Sequence, residues 1–495
     1  MSFQNQSGDL SPFTEVVPAS AKLGDVTKAS ILTSRRRMKI FPQTGSTYGT
    51  VSTATGAGNA QIQFLLADSS GLIDMRSVVL NYHIVTSGTT TACPDDGHPF
   101  QTVQINLNGQ NLENLQNAAR VTNIEAKLGG SKSYYQTAGS FQGFSLLSND
   151  TNPAVPTTTA ADLVSAYGQY GYVLGNVTDL TARAKRGADA RTGNVAGMQV
   201  SIPLAMLSGV GRMKTYVPLA LLGEININLI AHSAAAALFQ STATADADFA
   251  LSQVSLEYDI VTASPAYMSL LKQIATEDAR GLVMPFESTV CVPGGAIAAS
   301  SSTLAESTVI VSRATQNLLR AHIVQIPTTA VSSLAAPSQS MFSRAGTASV
   351  QFRSGSSVFP QIACFGDAAL FNMSLAAYGS VVQENGSAIN RALWGQSSNV
   401  ATQGTAATYE TAQAASGGTT KFCYADSCIP SYGFQTYRGG VDPVDVDGIS
   451  LSGSSGSQLI ASIVSAPSVG YTPFISLVAL KFLSARQGTV QVAGA

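Results

Sequence analysis

Polar and apolar residues alternate with a period of two along much of this chain, the signature of strands that bury one face. In residues 102–108, Val103, Ile105 and Leu107 share one face, and Gln104, Asn106 and Asn108 share the other. The next pair, Asn108-Gly109, suits a two-residue hairpin, which needs positive φ at both positions. Residues 224–229 repeat the design, with Ile225, Ile227 and Leu229 set against Asn226 and Asn228. So do residues 254–260, where Val254, Leu256, Tyr258 and Ile260 oppose Ser255, Glu257 and Asp259. Further strands are expected at 62–66, 78–85, 200–204, 309–312, 323–326, 349–352, 459–464 and 475–483. That many short strands, separated by Gly/Ser/Thr-rich connections, predicts an all-β sandwich or barrel.

Helical spacing is rare. Ser264-Pro265 followed by Tyr267, Leu270, Leu271 and Ile274 predicts a helix: serine caps the free amides, proline fits the first turn, and the spacing gives one apolar stripe. Gly281 lies just beyond its end. This helix falls mid-chain between two β-rich halves and reads as their connection. Two other helices are expected, at 113–128 before Gly129-Gly130 and at 368–382 with Asp367 as cap. Each half begins with an extended segment and closes on a long amphipathic strand, 253–262 in the first and 474–484 in the second. Each carries a long polar insertion, at 130–195 and 386–456. No residue-level repeat is readable, so the duplication is one of plan.

Length agrees with two domains, because 495 residues exceed what one core usually serves. Hydrophobic residues make up 45%, but charged residues only 11%, against roughly 25% in an average soluble domain. The surface is therefore largely Ser, Thr, Asn, Gln and Gly, which suits extensive subunit contact because burying such groups costs less than burying unpaired charge. The net charge of −2 gives no polybasic tail for nucleic acid. The one basic cluster, Arg35-Arg36-Arg37 with Lys39, reads as a solvated turn, with a patch against phosphate or a neighbouring subunit as the alternative. Five widely spread cysteines do not make a secreted disulfide framework, and Cys423 and Cys428 miss the usual metal or redox spacing. The first twelve residues lack the basic and apolar regions of a secretory signal, and the richest apolar stretch, 474–483, is half a membrane span.

Three consecutive segments carry a family resemblance. Residues 201–209 (Ser-Ile-Pro-Leu-Ala-Met-Leu-Ser-Gly), 216–223 (Tyr-Val-Pro-Leu-Ala-Leu-Leu-Gly) and 224–230 (Glu-Ile-Asn-Ile-Asn-Leu-Ile) resemble a stretch late in the first barrel of double-jelly-roll major capsid proteins. Residues 254–262 and the helix from Tyr267 are similar to that family's closing strand and linker, and residues 371–394, with Tyr378 and Ile389, to an insertion in its second barrel. At this length the chain looks nearer to the capsid proteins of polinton-like viruses and virophages than to the larger ones of adenoviruses.

The resemblance implies an all-β fold of two tandem eight-stranded jelly rolls with a few short helices. Its divisions are an N-terminal arm at 1–20, a first roll at 21–262, a linker helix at 263–280, a second roll at 281–485 and a C-terminal tail at 486–495. It implies a structural protein without enzymatic activity, forming homotrimeric, pseudo-hexagonal capsomers that tile an icosahedral shell. Implied partners are copies of itself, neighbouring capsomers and minor capsid or penton proteins, without sequence-specific nucleic-acid binding or a transmembrane segment. The expected location is the virion, after synthesis in the host cytoplasm.

Candidate chemistry does not displace that reading. His83, His98, His232 and His322 are widely separated, three of them in or beside expected strands, where packed or surface imidazole is the default. Cys93-Pro-Asp-Asp-Gly-His98 could gather a metal, but Pro94 and Gly97 make it a loop. Asp442, Asp445 and Asp447 before Gly448 fail the calcium-loop alternation and have no Glu at its twelfth position. The Gly56/Gly58 and Gly209/Gly211 pairs lack the third glycine of a dinucleotide loop. The expectation is therefore no catalytic, cofactor or metal residue. The runner-up, a β-sandwich that binds or processes carbohydrate, is weakened by a single tryptophan, Trp394. A low-copy minor capsid or spike component is a third reading.

Overall fold

The computed structural model describes most of residues 32–144, 198–378 and 427–493, with Ile389 and Trp394 between. The excluded stretches include 1–31, 145–197, 435–447 and nearly all of 379–426. The N-terminal arm, most of both insertions, the Gly56/Gly58 pair and Asp442, Asp445 and Asp447 lie outside the described residues.

The first half contributes eight principal strands: β1 Leu32–Ile40, β2 Gln61–Leu66, β3 Leu72–Gly88, β4 Phe100–Leu107, β5 Gln110–Gln116, β6 Met198–Pro203, β7 Ile225–Ala231 and β8 Ala247–Ala263. They form two antiparallel sheets in the orders β1-β8-β3-β6 and β2-β7-β4-β5. The second half repeats this with β9 Leu282–Pro293, β10 Ala305–Ser312, β11 Leu318–Pro327, β12 Thr347–Ser354, β13 Ser357–Phe365, β14 Ser431–Gly433, β15 Gln458–Ser465 and β16 Tyr471–Arg486. Its sheets run β9-β16-β11-β14 and β10-β15-β12-β13. The first, eighth, third and sixth strands pair in one sheet of each half, and the second, seventh, fourth and fifth in the other. Two sheets linked this way are a jelly roll, and the chain holds two of them.

The alternation read from the sequence sets the registers. Ile225, Ile227 and Leu229 on β7 stand opposite Leu107, Ile105 and Val103 on β4, and opposite Leu66, Phe64 and Ile62 on β2, all essentially inaccessible to water. Each such side chain contributes about 1.5–3 kcal/mol by leaving water. Tyr82 on β3 meets Phe100 on β4 edge-on at 5.7 Å and so joins the two sheets. In the second roll Phe352 and Phe359 flank Phe434, with ring centroids 5.9 and 5.3 Å away. The fourth and fifth strands form tight hairpins in both rolls, at Asn108-Gly109 and at Gly355-Ser356. Asn108 (φ 47°) and Gly109 (φ 76°) are both left-handed, as such a turn requires.

Helices follow equivalent strands. α1 (Ala118–Gly129) succeeds β5, and α3 (Asp367–Ala377) succeeds β13. Between the rolls lies α2 (Pro265–Glu277), where the Ser264 hydroxyl accepts the Tyr267 amide at 3.3 Å, the expected cap. Its buried stripe is Tyr267, Leu271 and Ala275; Leu270 stays 42% exposed.

Several expectations need correction. The helix expected at 113–128 begins only at Ala118, because 110–116 is the strand β5. Arg35-Arg36-Arg37 is no turn: it lies in β1, an edge strand that is exposed along most of its length. Asp367 occupies the first turn of α3, and Gly366 is its cap residue. The second insertion is interrupted by β14, which pairs with β11. The closing strand β16 is not one-faced, being buried almost continuously from Pro473 to Leu480. Residues 489–493, expected in the tail, form a strand on β16.

Candidate functional site: the seam between the rolls

β5 carries Glu113 among Gln110, Leu112, Leu115 and Gln116, and its carboxyl is wholly buried. It accepts the Gly209 amide at 3.0 Å, the Thr289 amide at 2.9 Å and the Ser208 hydroxyl. Ser208 and Gly209 follow β6 in the first roll, whereas Thr289 lies on β9 in the second. One carboxyl therefore ties three segments of both rolls. Burial raises its pKa against the pull of these hydrogen bonds. Contact is so close that a Cβ on Gly209 would overlap the Glu287 carbonyl oxygen, so glycine alone fits.

A chain of charges crosses the same seam. Glu125 on α1 pairs with Arg212, whose guanidinium reaches Glu287 on β9 at 3.4 Å. Arg320 on β11 completes it at 2.9 Å from Glu287. Burial alone would raise the Glu287 carboxyl, but Arg320 and Arg212 outweigh it and hold the pKa below the ordinary value. The Arg320 guanidinium also stacks 4.8 Å from the Tyr378 ring.

A third contact inserts residues 338–342 of the second roll into the first. Asp95 accepts the Gln339 amide at 2.8 Å and the Ser340 hydroxyl at 2.5 Å. Arg120 on α1 donates to the Ser338 carbonyl at 3.1 Å and lies 3.7 Å from the Phe474 ring; Lys127 donates to the Ser340 carbonyl and sits 4.9 Å from the Phe342 ring. Burial, then the adjacent Asp96, moves the Asp95 pKa up to about 6, and burial brings Arg120 down to about 10.

The residues singled out from the sequence are scattered by comparison. His98 is buried, its Nδ1 accepting the Phe100 amide at 3.2 Å and its Nε2 lying 2.9 Å from the Thr122 hydroxyl. Since that hydroxyl donates to the Met206 carbonyl, His98 is neutral with its proton on Nε2. Burial lowers the pKa of His98, His232 and His322 to about 3 each. Pro94 and Cys93 pair with Leu238 and Phe239, so the candidate metal loop is a small structural corner. Among the described residues, no group of three His, Cys, Asp or Glu side chains could hold a metal ion. Trp394 is buried and meets Phe371 at 5.2 Å. Gly209 serves the seam, packed against the Glu287 carbonyl with its amide on Glu113.

Sequence reasoning weighed Asp95 only within a candidate metal loop and missed Glu113, Glu125, Arg212, Glu287 and Arg320. A signal was present: in a chain with 11% charge, Arg320 interrupts the apolar run 318–324, where an ordinary core strand would carry none.

The architecture as a whole defines the class: two jelly rolls of one strand order fused along a buried polar seam. No protein-family model matches the chain, and no curated protein matches it in sequence. Solved structures do. PBCV-1 VP54, fitted into a reconstruction of the virophage Sputnik, superposes with a TM-score of 0.52 at 10% identity, over 95% of this chain and 99% of that one. The mavirus major capsid protein gives 0.50 at 11% identity, over 96% and 93%. A quasi-atomic PBCV-1 capsid chain gives 0.50 at 11%, over 95% and 99%. The fold is the double jelly roll of these viral capsid proteins.

Proposed function

We propose that this chain is the major structural subunit of an icosahedral viral shell, and that three copies form a pseudo-hexagonal capsomer. The supporting observation is the repeated strand order of the two rolls, joined by a seam and matched almost end to end by capsid proteins of PBCV-1 and mavirus. Two similar barrels per chain give six per trimer, an outline able to pave a flat facet. Closed cyclic symmetry keeps that assembly finite. The boundaries 1–20, 21–262, 263–280, 281–485 and 486–495 belong to the same proposal as arm, first roll, linker, second roll and tail. So do a non-enzymatic role, a place in the virion after cytoplasmic synthesis, and contact with minor capsid or penton proteins. Among the described residues no helix is long and apolar enough to cross a membrane. The carbohydrate-binding alternative gains no support from the matched structures.

The test is mass in solution. Light scattering on the purified chain should give three times 51.1 kDa, and negative-stain images should show hexagonal tiles or closed particles. A stable monomer at micromolar concentration, with no assembly under any particle-forming condition, overturns the proposal.

A further inference from the structure

Residues 338–342, the strap that the second roll inserts into the first, close over a group of buried polar side chains. Arg120 on α1 is held at both terminal nitrogens: Nη1 donates to Asn117 Oδ1 at 3.3 Å and Nη2 to the Ser338 carbonyl at 3.1 Å. Its Nε–H meets no partner among the described residues. Gln339, the next residue of the strap, donates through Nε2 to the Ser338 hydroxyl at 3.0 Å. That hydroxyl directs its own proton to the Ala236 carbonyl at 3.5 Å, so toward Gln339 it can only accept. The amide orientation is thereby fixed, and Gln339 Oε1 is left as a buried acceptor with no partner among the described residues.

His232, just past β7, supplies a third such atom. Its backbone amide donates to the Pro99 carbonyl at 2.7 Å, while the ring Nε2 is buried and unbonded among the described residues. The Arg120 charge reaches this ring and, after burial, helps to lower its pKa. Ser338 gathers the three side chains: its carbonyl takes Arg120, its hydroxyl takes Gln339, and that hydroxyl rests on Ala236, one helical turn from His232. Arg120, His232 and Gln339 keep only 1%, 6% and 2% of their surfaces in water. Buried polar groups in folded proteins nearly always find partners, and those left over by the chain mark where an internal water sits.

We propose that the seam binds one ordered water between Arg120 Nε, His232 Nε2 and Gln339 Oε1, as a structural ligand that seats the strap. The hydrogen-bond count matches. The water accepts from the Arg120 N–H and donates one hydrogen each to Gln339 Oε1 and His232 Nε2, three bonds in all, as internal waters usually make. His232 is then the tautomer with its proton on Nδ1, opposite to His98. Charge selects water over an anion. Arg120 and Lys127 are the cations beside the strap, and Asp95 and Asp96 are the carboxylates, so the site is balanced without a further ion. Two of the water's partners belong to the first roll and one to the second, so it joins the rolls where no direct side-chain bond does. Such a bridge is nearly as favourable as a direct hydrogen bond.

The test is a density map of the full chain, from crystals or assembled particles, fine enough to show ordered solvent. One peak should lie within hydrogen-bonding distance of all three atoms. A map without that peak, or with the three side chains bonded directly to one another, overturns the proposal. So does a bromide signal at the same place in material prepared in bromide salt, which would make the ligand an anion. His232→Phe with Gln339→Met removes two of the three partners at similar volume, and the peak should vanish while neighbouring solvent peaks remain. A peak that persists in the double variant overturns the assignment of these residues. If the variant does not fold, the wild-type map decides alone. The outcome is independent of the capsid reading, since the seam lies within one chain.

Discussion

On its β1-β8-β3-β6 sheet the first roll wears its ion pairs in water, and on the equivalent sheet the second roll hides its own. Arg37 and Glu257 span β1 and β8 with side chains 55% and 26% exposed; Arg320 and Glu287 span the equivalent sheet of the second roll at 12% and 21%. The first strands diverge in the same sense: β1 is exposed at six of its nine residues, whereas β9 is buried at seven of its twelve and half-buried at four. Strand order is identical, so the difference is imposed by what lies against each sheet. The lesson is that a duplicated topology does not fix burial: the first roll covers β9 of the second, and among the described residues nothing covers β1 of the first.

Acidification should produce the largest effect. His98, His232 and His322 stay neutral in the fold with pKa values near 3, while an unfolded chain protonates near 6.5. The unfolded state therefore binds more protons, and stability present above pH 6.5 is lost as pH falls toward 3. Asp95 works the other way. Its pKa near 6 lets the folded state take up a proton between pH 6 and 4, offsetting one of the three. Glu113, whose pKa burial also raises, works in the same sense as Asp95, so the net slope in that range is at most about 2.7 kcal/mol per pH unit, from two protons. Chemical denaturation at pH 6, 5 and 4 checks it. Replacing His98 and His232 with Gln should flatten the slope about twice as much as replacing His322; equal effects would break the roll-by-roll assignment.

Next in size comes the seam pair. Glu287→Ala leaves Arg212 and Arg320 without the carboxylate they share and should cost about 3–5 kcal/mol in urea unfolding. Asp95→Ala removes the acceptor for the Gln339 amide and the Ser340 hydroxyl, and about 1–3 kcal/mol is expected. It should also raise hydrogen exchange in residues 338–342 ahead of the barrel strands. Smallest is Glu257→Ala in the exposed pair, at no more than about 1 kcal/mol and shrinking further in high salt. If Glu257→Ala cost as much as Glu287→Ala in the unassembled chain, the contrast between the rolls would be wrong.

Legibility in the sequence followed the same division. Strands with a regular polar–apolar alternation announced themselves: β4, β7 and β8 were readable from Val103, Ile225 and Leu256 and their period-two neighbours. Strands at the seam did not. In β5, Leu112 and Leu115 are three apart, and with the alanines of α1 just beyond they mimic a helical stripe. Glu113 sits between them as a polar residue that the second roll, not water, receives. β9 escaped because Met284, Phe286, Ser288 and Thr289 are buried on both faces, and because Pro285 argues against a strand. β13 was hidden by Pro360, and β1 by its run of arginines, which reads as a loop until Asp259 and Glu257 are seen beside it. The seam itself joins Glu113 to Thr289 and Asp95 to Ser340 across long stretches of sequence, and no local pattern records such a meeting.

Both long insertions enter the chain at one topological place, between the helix after the fifth strand and the sixth strand: residues 130–197 in one roll and 378–430 in the other. Lengthening a connection whose ends are already anchored costs little, about 0.6 kcal/mol for each doubling. Provided Tyr135, Phe144, Ile389, Trp394, Cys428 and Ile429 keep their places in the core, these two connections can be lengthened without disturbing the barrels, and a foreign peptide spliced there should leave both rolls folded.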